Sequence, residues 1–301
     1  MDYQNKIVAA IEAHIINTGD SQNALAAKLD ISAATVTAIK QGKWQNISPA
    51  MWNKVASFFE LREDWQLFAT PNFNRVTKLC DDAQQQHKML AVAAFTGSGK
   101  TTALREYVRK SPNAYYFLCT AVMGRKEFVR GVLRSMGLED AGNIAACIQT
   151  ICERLNEASS PLLILDDAGK LGDSILPVIQ IIYDATEFRA GIVLAGTEYM
   201  KSYIDKMAGK DKKGFRELKR RIQFWQSLVR PSKAVISQFA QQHGVVEETA
   251  ITYIVRTVSD YGTLRNLLSN ARQAVALKPN MVVSAELLAG LHIGDHNYQG
   301  N

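Results

Sequence analysis

The chain has 301 residues, 47% of them hydrophobic, and a formal net charge of +6, enough to bury a large core in one middle-sized domain with one or two small ones. No apolar run approaches the roughly 20 residues a bilayer requires, and Met1-Asp2-Tyr3-Gln4 is not a basic stretch leading into an apolar one, so neither a membrane span nor export is expected, and a cytoplasmic location is. Cys80, Cys119, Cys147 and Cys152 form no C-x-x-C pair and the five histidines no metal pattern, which suits reduced, buried thiols.

Residues 1–68 read as a small all-helical domain. A first helix after Asp2 puts Ile7, Ala10, Ile11 and Ile15 on one face and ends at Gly19-Asp20. Ser21 caps a second helix through Leu29; Ser32 caps a third through Gln41, stopped by Gly42. Ser48-Pro49, a cap and first-turn proline, opens a fourth carrying Met51, Trp52, Val55 and Phe58. Two short helices joined by a tight turn, the second offering Thr35, Thr37 and Lys40 outward while Val36 and Ile39 face in, is helix-turn-helix geometry. Residues 20–58 resemble the repressor-like helix-turn-helix family at Ala26, Leu29, Ile31, Ser32, Thr35, Val36 and Ile39. DNA contact through Thr35, Thr37 and Lys40 is the role this implies. Six Lys/Arg against seven Asp/Glu in residues 1–68 make no basic footprint, so a structural or protein-docking bundle is the alternative. Residues 69–75, containing Thr70-Pro71-Asn72-Phe73-Asn74, are expected to be a linker.

From residue 76 to 230 strands alternate with helices, which predicts an α/β domain with a parallel sheet covered on both faces. The strands are expected at Met89–Ala94, Ala114–Cys119, Leu162–Leu165, Gly191–Ala195 and Ile222–Val229. The first runs into Phe95-Thr96-Gly97-Ser98-Gly99-Lys100-Thr101-Thr102, a phosphate-binding loop in which two glycines let successive N–H groups face one anion. Lys100 is expected to reach the β- and γ-phosphates of ATP and Thr101 to hold Mg²⁺, with Gly97, Ser98, Gly99 and Thr102 completing the cradle at a helix N-terminus. Ala94 stands where this motif has its first glycine.

The third strand delivers Asp166 and Asp167 to the same sheet edge. Asp166 is placed to hold Mg²⁺ through water. Asp167, one methylene shorter than the glutamate usual in the role, is the candidate to polarise the attacking water. The fourth strand ends at Thr197, which is expected between the tips of the first and third strands, within reach of the γ-phosphate. A basic helical stripe of Lys126, Arg130 and Arg134, with Arg125 before it, can track DNA phosphates; Lys206, Lys210, Lys212 and Lys213, in an expected loop, are the other candidate. Residues 201–221 hold nine Lys/Arg against three Asp/Glu.

Together these motifs resemble the AAA+ family, and within it the helpers of DNA transposition of the phage Mu type. The resemblance implies an AAA+ P-loop sheet with a helical lid over residues 231–290, followed by a tail at 291–301. It implies an arginine finger among Leu218-Lys219-Arg220-Arg221, with Arg221 favoured and Arg220 second, and a second sensor, Arg265, at the start of the long lid helix. It further implies an ATPase that binds double-stranded DNA without much sequence preference, assembles with copies of itself into an oligomer or filament on DNA, and selects targets for and activates a transposase. Another AAA+ protein of the initiator or loader kind would share every motif. A nucleotide-sensing helix-turn-helix transcription regulator is the reading from a different class.

Overall fold

The computed structural model describes residues 3–44, 47–59, 67–140, 142–276 and 282–297. The chain divides into two units, one comprising Met1–Phe68, Phe239–Tyr253 and Leu267–Asn301, the other Ala69–Gln238 and Ile254–Asn266.

The first unit opens with α1 (Tyr3–Thr18), α2 (Gln22–Leu29), α3 (Ala33–Lys40) and α4 (Pro49–Phe58). The Ser21 hydroxyl accepts the N–H of Ala24 and that of Ser32 the N–H of Thr35, each at 3.1 Å, so both expected caps form. Asp30 turns the chain between α2 and α3 in the left-handed region (φ 51°). Lys54 on α4 braces that turn, donating to the Asp30 carbonyl at 2.8 Å and its carboxylate at 2.6 Å. Ile7, Ile11, Leu25, Leu29, Val36, Ile39, Trp52 and Val55 close the core between the four helices. Phe58 on α4 is 41% exposed and lies edge-on to Phe59 and His14.

In the second unit the stretch expected as a linker is instead the start of a helix. The Thr70 hydroxyl accepts the N–H of Phe73 at 3.0 Å and Pro71 fills the first turn of α5 (Pro71–Gln86). There follow β1 (Met89–Ala93), α6 (Lys100–Lys110), β2 (Ala114–Leu118), α7 (Arg125–Ser135), α8 (Ile144–Glu157), β3 (Leu162–Asp166), a 3₁₀ turn at Ala168–Lys170, α9 (Leu176–Ala185), β4 (Gly191–Gly196), α10 (Glu198–Gly209), α11 (Phe215–Arg221) and β5 (Ile222–Ser227). All five expected strands form, in the order β2-β3-β4-β1-β5, every pair parallel.

Side-chain alternation sorts the central strands onto two faces. Met89, Ala91, Leu163, Leu165, Ile192 and Leu194 pack under α7 to α11. Leu90, Val92, Leu162, Ile164, Val193 and Ala195 pack under α5 and α6, against Val76, Leu79, Ala83, Ala103 and Leu104. Near-continuous apolar runs in β1, β3 and β4 are what burial on both faces demands. At the start of β4 a side chain has no room, since a Cβ on Gly191 would lie 2.2 Å from the carbonyl oxygen of Ala83.

The remaining helices are α12 (Lys233–Gln242), α13 (Glu248–Thr257), α14 (Tyr261–Ala276) and α15 (Ala285–Asn297). The expected tail is therefore helical as far as Asn297, and residues 298–301 lie outside the described residues. All four cysteines are buried with free thiols. Among the described residues no helix is long and apolar enough to cross a membrane.

Candidate functional site

Parallel strands all present their carboxyl ends to one edge, and there the loop from β1 to α6 forms a hollow. Left-handed backbone falls on Gly97 (φ 79°) and Gly99 (φ 87°), the two positions where the sequence supplies glycine. Ala94, at the replaced first glycine, is 1% exposed and joins the core beneath α5 and α6, so its methyl does not intrude on the loop. Lys100 is folded over that loop. Its ammonium donates to the carbonyls of Ala94 at 2.9 Å and Phe95 at 3.0 Å, and to the Ser98 hydroxyl at 3.0 Å. Burial lowers the pKa of this lysine, against the pull of Asp166, Asp167 and Glu198, so a further anion beside it is electrostatically favoured.

Asp166, at the tip of β3, is fully buried. Its Oδ2 accepts the Thr101 hydroxyl at 2.7 Å and the Tyr116 hydroxyl at 2.8 Å, while Oδ1 accepts the N–H of Asp167 at 2.9 Å. Thr101 donates its proton to this carboxylate and so keeps its oxygen lone pairs for a cation. A hydroxyl, a carboxylate and an adjoining anion cradle make a hard oxygen donor set, the kind Mg²⁺ takes with substrate phosphates. The residues present thus fit a magnesium-nucleotide.

β4 lies between β1 and β3, as expected, and Thr197 follows its last residue, exposed, at the N-cap of α10 without a side-chain cap bond. Asp167 adopts the left-handed region (φ 56°) and forms an ion pair with Lys170 at 2.7 Å. Its carboxylate is therefore engaged within its own turn.

α14 reaches the same loop. The N–H of Gly262 donates to the Gly97 carbonyl at 3.1 Å, and the Asp260 carboxylate, which accepts the N–H and hydroxyl of Thr263 at 2.9 Å each, lies where a Cβ on Gly97 would project. Arg265 stands exposed one turn along this helix. Arg221 is not presented outward as a finger would be. Its guanidinium makes a two-pronged pair with Asp184 of α9, at 2.7 and 2.6 Å, and is 18% exposed. Arg220 beside it is exposed, and among the described residues no ion pair engages it.

Arg125, Lys126, Arg130 and Arg134 do fall on one helix, α7. Lys126, Arg130 and Arg134, with Glu127, Leu133 and Asp140, line a groove of about 470 Å³. Arg130 pairs with Asp140 at 2.8 Å, and Arg125 donates to the Ser174 carbonyl at 3.1 Å. Five of the nine basic residues in 201–221 are paired: Lys201 and Lys219 meet Asp205, Arg216 meets Asp211, Lys212 meets Asp173 and Arg221 meets Asp184. Lys206 lies on α10 rather than in a loop. In the first unit Thr35 bonds the Ser32 hydroxyl at 2.8 Å, and Thr37 donates to Gln22 at 3.2 Å and to the Ala33 carbonyl at 3.0 Å; Thr35, Thr37 and Lys40 are each half-buried.

Sequence reading missed Asn72, which is 1% exposed. Its amide donates to the Ser98 carbonyl in the phosphate loop at 3.2 Å and to the Val229 carbonyl beyond β5 at 2.8 Å, and accepts the Val229 N–H at 3.2 Å. The signal was present: a threonine cap, a first-turn proline, and Val76, Leu79, Cys80 and Ala83 at helical spacing. Tyr116, Asp260 and Glu198 were missed as well, and nothing local in the sequence marks them.

Residues 83–204 match the AAA domain family. The chain is similar to the ATP-dependent target DNA activator B of Escherichia phage Mu, with 23% identity over 279 residues covering 89% of this chain and 87% of that protein. It is also similar to the Mu-like prophage FluMu DNA transposition protein B of Haemophilus influenzae, with 20% identity over 273 residues covering 85% and 91%. Among solved structures the Aeropyrum pernix ORC2 protein in its ADPNP–ADP complexes superposes with a TM-score of 0.58 at 13% identity, over 80% of this chain and 73% of that one. The Aeropyrum pernix ORC1 protein in complex with DNA gives 0.56 at 11%, over 77% of this chain and 66% of that one, just under two thirds of its length. The fold is that of the AAA+ P-loop proteins.

Proposed function

We propose that this chain is a magnesium-dependent AAA+ ATPase that binds duplex DNA with little sequence preference, assembles on it in the ATP state, and there selects targets for and activates a transposase. The observation that carries the reading is the 2.7 Å bond from Thr101 to buried Asp166 beside the buried Lys100 ammonium. Transposition rests on the names of the relatives above.

Bound Mg²⁺ would neutralise charge on the transferring phosphoryl group. Thr101 and Asp166 would hold it. Lys100 exchanges its three loop acceptors for phosphate oxygens, and the backbone of Gly97 to Gly99 with the N-terminus of α6 fixes the chain of phosphates. Thr197 is the sensor, touching the γ-phosphate or the water. Asp167 orients that water once it leaves Lys170, a competition that supports slow hydrolysis stimulated by DNA or the partner. Arg265 is the second sensor. Arg220 is the finger offered to a neighbouring copy, in preference to Arg221. DNA contacts are assigned to Arg125, Lys126, Arg130 and Arg134 of α7, and to Thr35, Thr37 and Lys40 on a helix-turn-helix formed by α2 and α3.

Electron microscopy of the protein with ATP, Mg²⁺ and random-sequence duplex tests this. The parent is expected to coat the DNA, and Lys100→Ala to leave it bare. Coating by both, or by neither, rejects the proposal. The well-capped α2 and α3 favour a second reading, a nucleotide-sensing regulator, which would instead footprint one sequence as a dimer.

A further inference from the structure

We infer that Tyr116 is a positioning residue for the cation-holding carboxylate, an inference that rests on the nucleotide reading above and concerns how this site recruits Mg²⁺. β2 and β3 are in register with Tyr116 opposite Ile164 and Leu118 opposite Asp166. Tyr116 and Asp166 therefore lie on one face of the sheet, the face beneath α6, and the ring leans one step along its strand to place its hydroxyl 2.8 Å from Oδ2. Thr101 reaches the same oxygen from α6 at 2.7 Å. Four residues further along α6, on the same side, the Arg105 guanidinium sits 5.2 Å from the centre of the Tyr116 ring and holds it against the strand.

Without Tyr116 the buried Oδ2 would depend on Thr101 alone, the one group that must also face the cation. With it, the carboxylate keeps a fixed plane, bound on Oδ2 by the phenol and on Oδ1 by the Asp167 N–H, whatever Thr101 does. Partners of this kind behind a cation-holding group are worth about 10- to 100-fold in metal affinity.

The test titrates Mg²⁺ against the binding of a fluorescent ATP analogue to the full chain. Tyr116→Phe keeps the ring beneath the Arg105 guanidinium and removes the hydroxyl. We expect it to raise the Mg²⁺ concentration for half-saturation about tenfold, while leaving analogue binding in EDTA unchanged. In an Asp166→Asn background the same substitution should add nothing further, a coupling that a merely structural role would not show. An unchanged Mg²⁺ requirement in Tyr116→Phe overturns the inference and leaves the nucleotide reading standing, as does a full shift that persists in the Asp166→Asn background. A parent that binds no analogue with Mg²⁺ overturns both.

Discussion

The backbone N–H of Gly262 donates to the carbonyl of Gly97 at 3.1 Å, fastening the first turn of α14 to the middle of the loop between β1 and α6. At Gly97 a Cβ would meet the Asp260 carboxylate oxygen at 2.1 Å in a backbone already at φ 79°; at Gly99 the nearest atom is the Tyr261 ring at 3.9 Å. Gly97→Ala should therefore both strain the loop and displace the Asp260 carboxylate that caps the start of α14, whereas Gly99→Ala strains the loop alone. Titration with a fluorescent nucleotide should show affinity falling at least tenfold for Gly97→Ala and less for Gly99→Ala. Equal losses would mean that the docking of α14 is irrelevant to binding.

Asn72→Ala removes an amide that satisfies groups on Ser98 and Val229 in a buried place. Stranded buried polar groups cost about 1–3 kcal/mol each. Thermal melting should fall accordingly, and nucleotide affinity with it, because the loop loses its tie to the segment that follows β5. A variant that melts with the parent would show that water satisfies these groups.

Neighbouring arginines should separate cleanly. Arg221→Ala breaks the pair with half-exposed Asp184, and a loss of about 1 kcal/mol should lower the melting temperature by about 2–4 °C. Arg220→Ala should melt like the parent yet lose ATP turnover in the assembled state. Mixing it with Asp167→Asn protein, which keeps the nucleotide grip needed to assemble but lacks the group that orients the water, should restore part of that turnover, since one variant supplies the site and the other the arginine. Failure of the mixture to regain activity would remove Arg220 from the role.

On α7, Arg130→Glu reverses a charge at the mouth of the basic groove and repels Asp140, its present partner. Affinity for random duplex should fall, and the slope of log affinity against log salt should flatten by about 1 to 2. Binding indistinguishable from the parent at every salt concentration would take α7 out of the DNA surface.

Acid sensitivity has its clearest source in Glu106. Hydrogen bonds from Arg109, aided by Lys110, hold the Glu106 carboxyl at about 2, below its ordinary 4.5. A depressed carboxyl stabilises the folded state above pH 4.5 and loses that contribution as pH falls toward 2. The parent should therefore exceed Glu106→Gln in stability at neutral pH, and the gap should close between pH 4.5 and 2. Denaturant melts across that window check the sign.

Local signals carried much of the architecture. Strands β1, β3 and β4 were legible because burial on both faces leaves them almost purely apolar, and the loop from Gly97 to Thr101 because its chemistry admits few substitutes. Serine caps at 21, 32 and 48 read correctly, yet Thr70-Pro71, the same device, opens α5 where the sequence suggests a connector. Tyr116 and Asp166, 50 residues apart, meet only through the pairing of β2 with β3. Arg220 and Arg221 differ only in which side of α11 each occupies, and the deciding partner, Asp184, lies 37 residues earlier.

One consequence belongs to the order of the sheet. β1, which feeds the lysine, and β3, which ends in the carboxylate, are each laddered to β4 and never to one another. Backbone ladders hold adjacent strands about 4.8 Å apart, so the two strand tips stand about 9.6 Å apart. The main chain thus acts as a ruler: side-chain changes can alter what grips a ligand, but the width of the berth is written in peptide bonds.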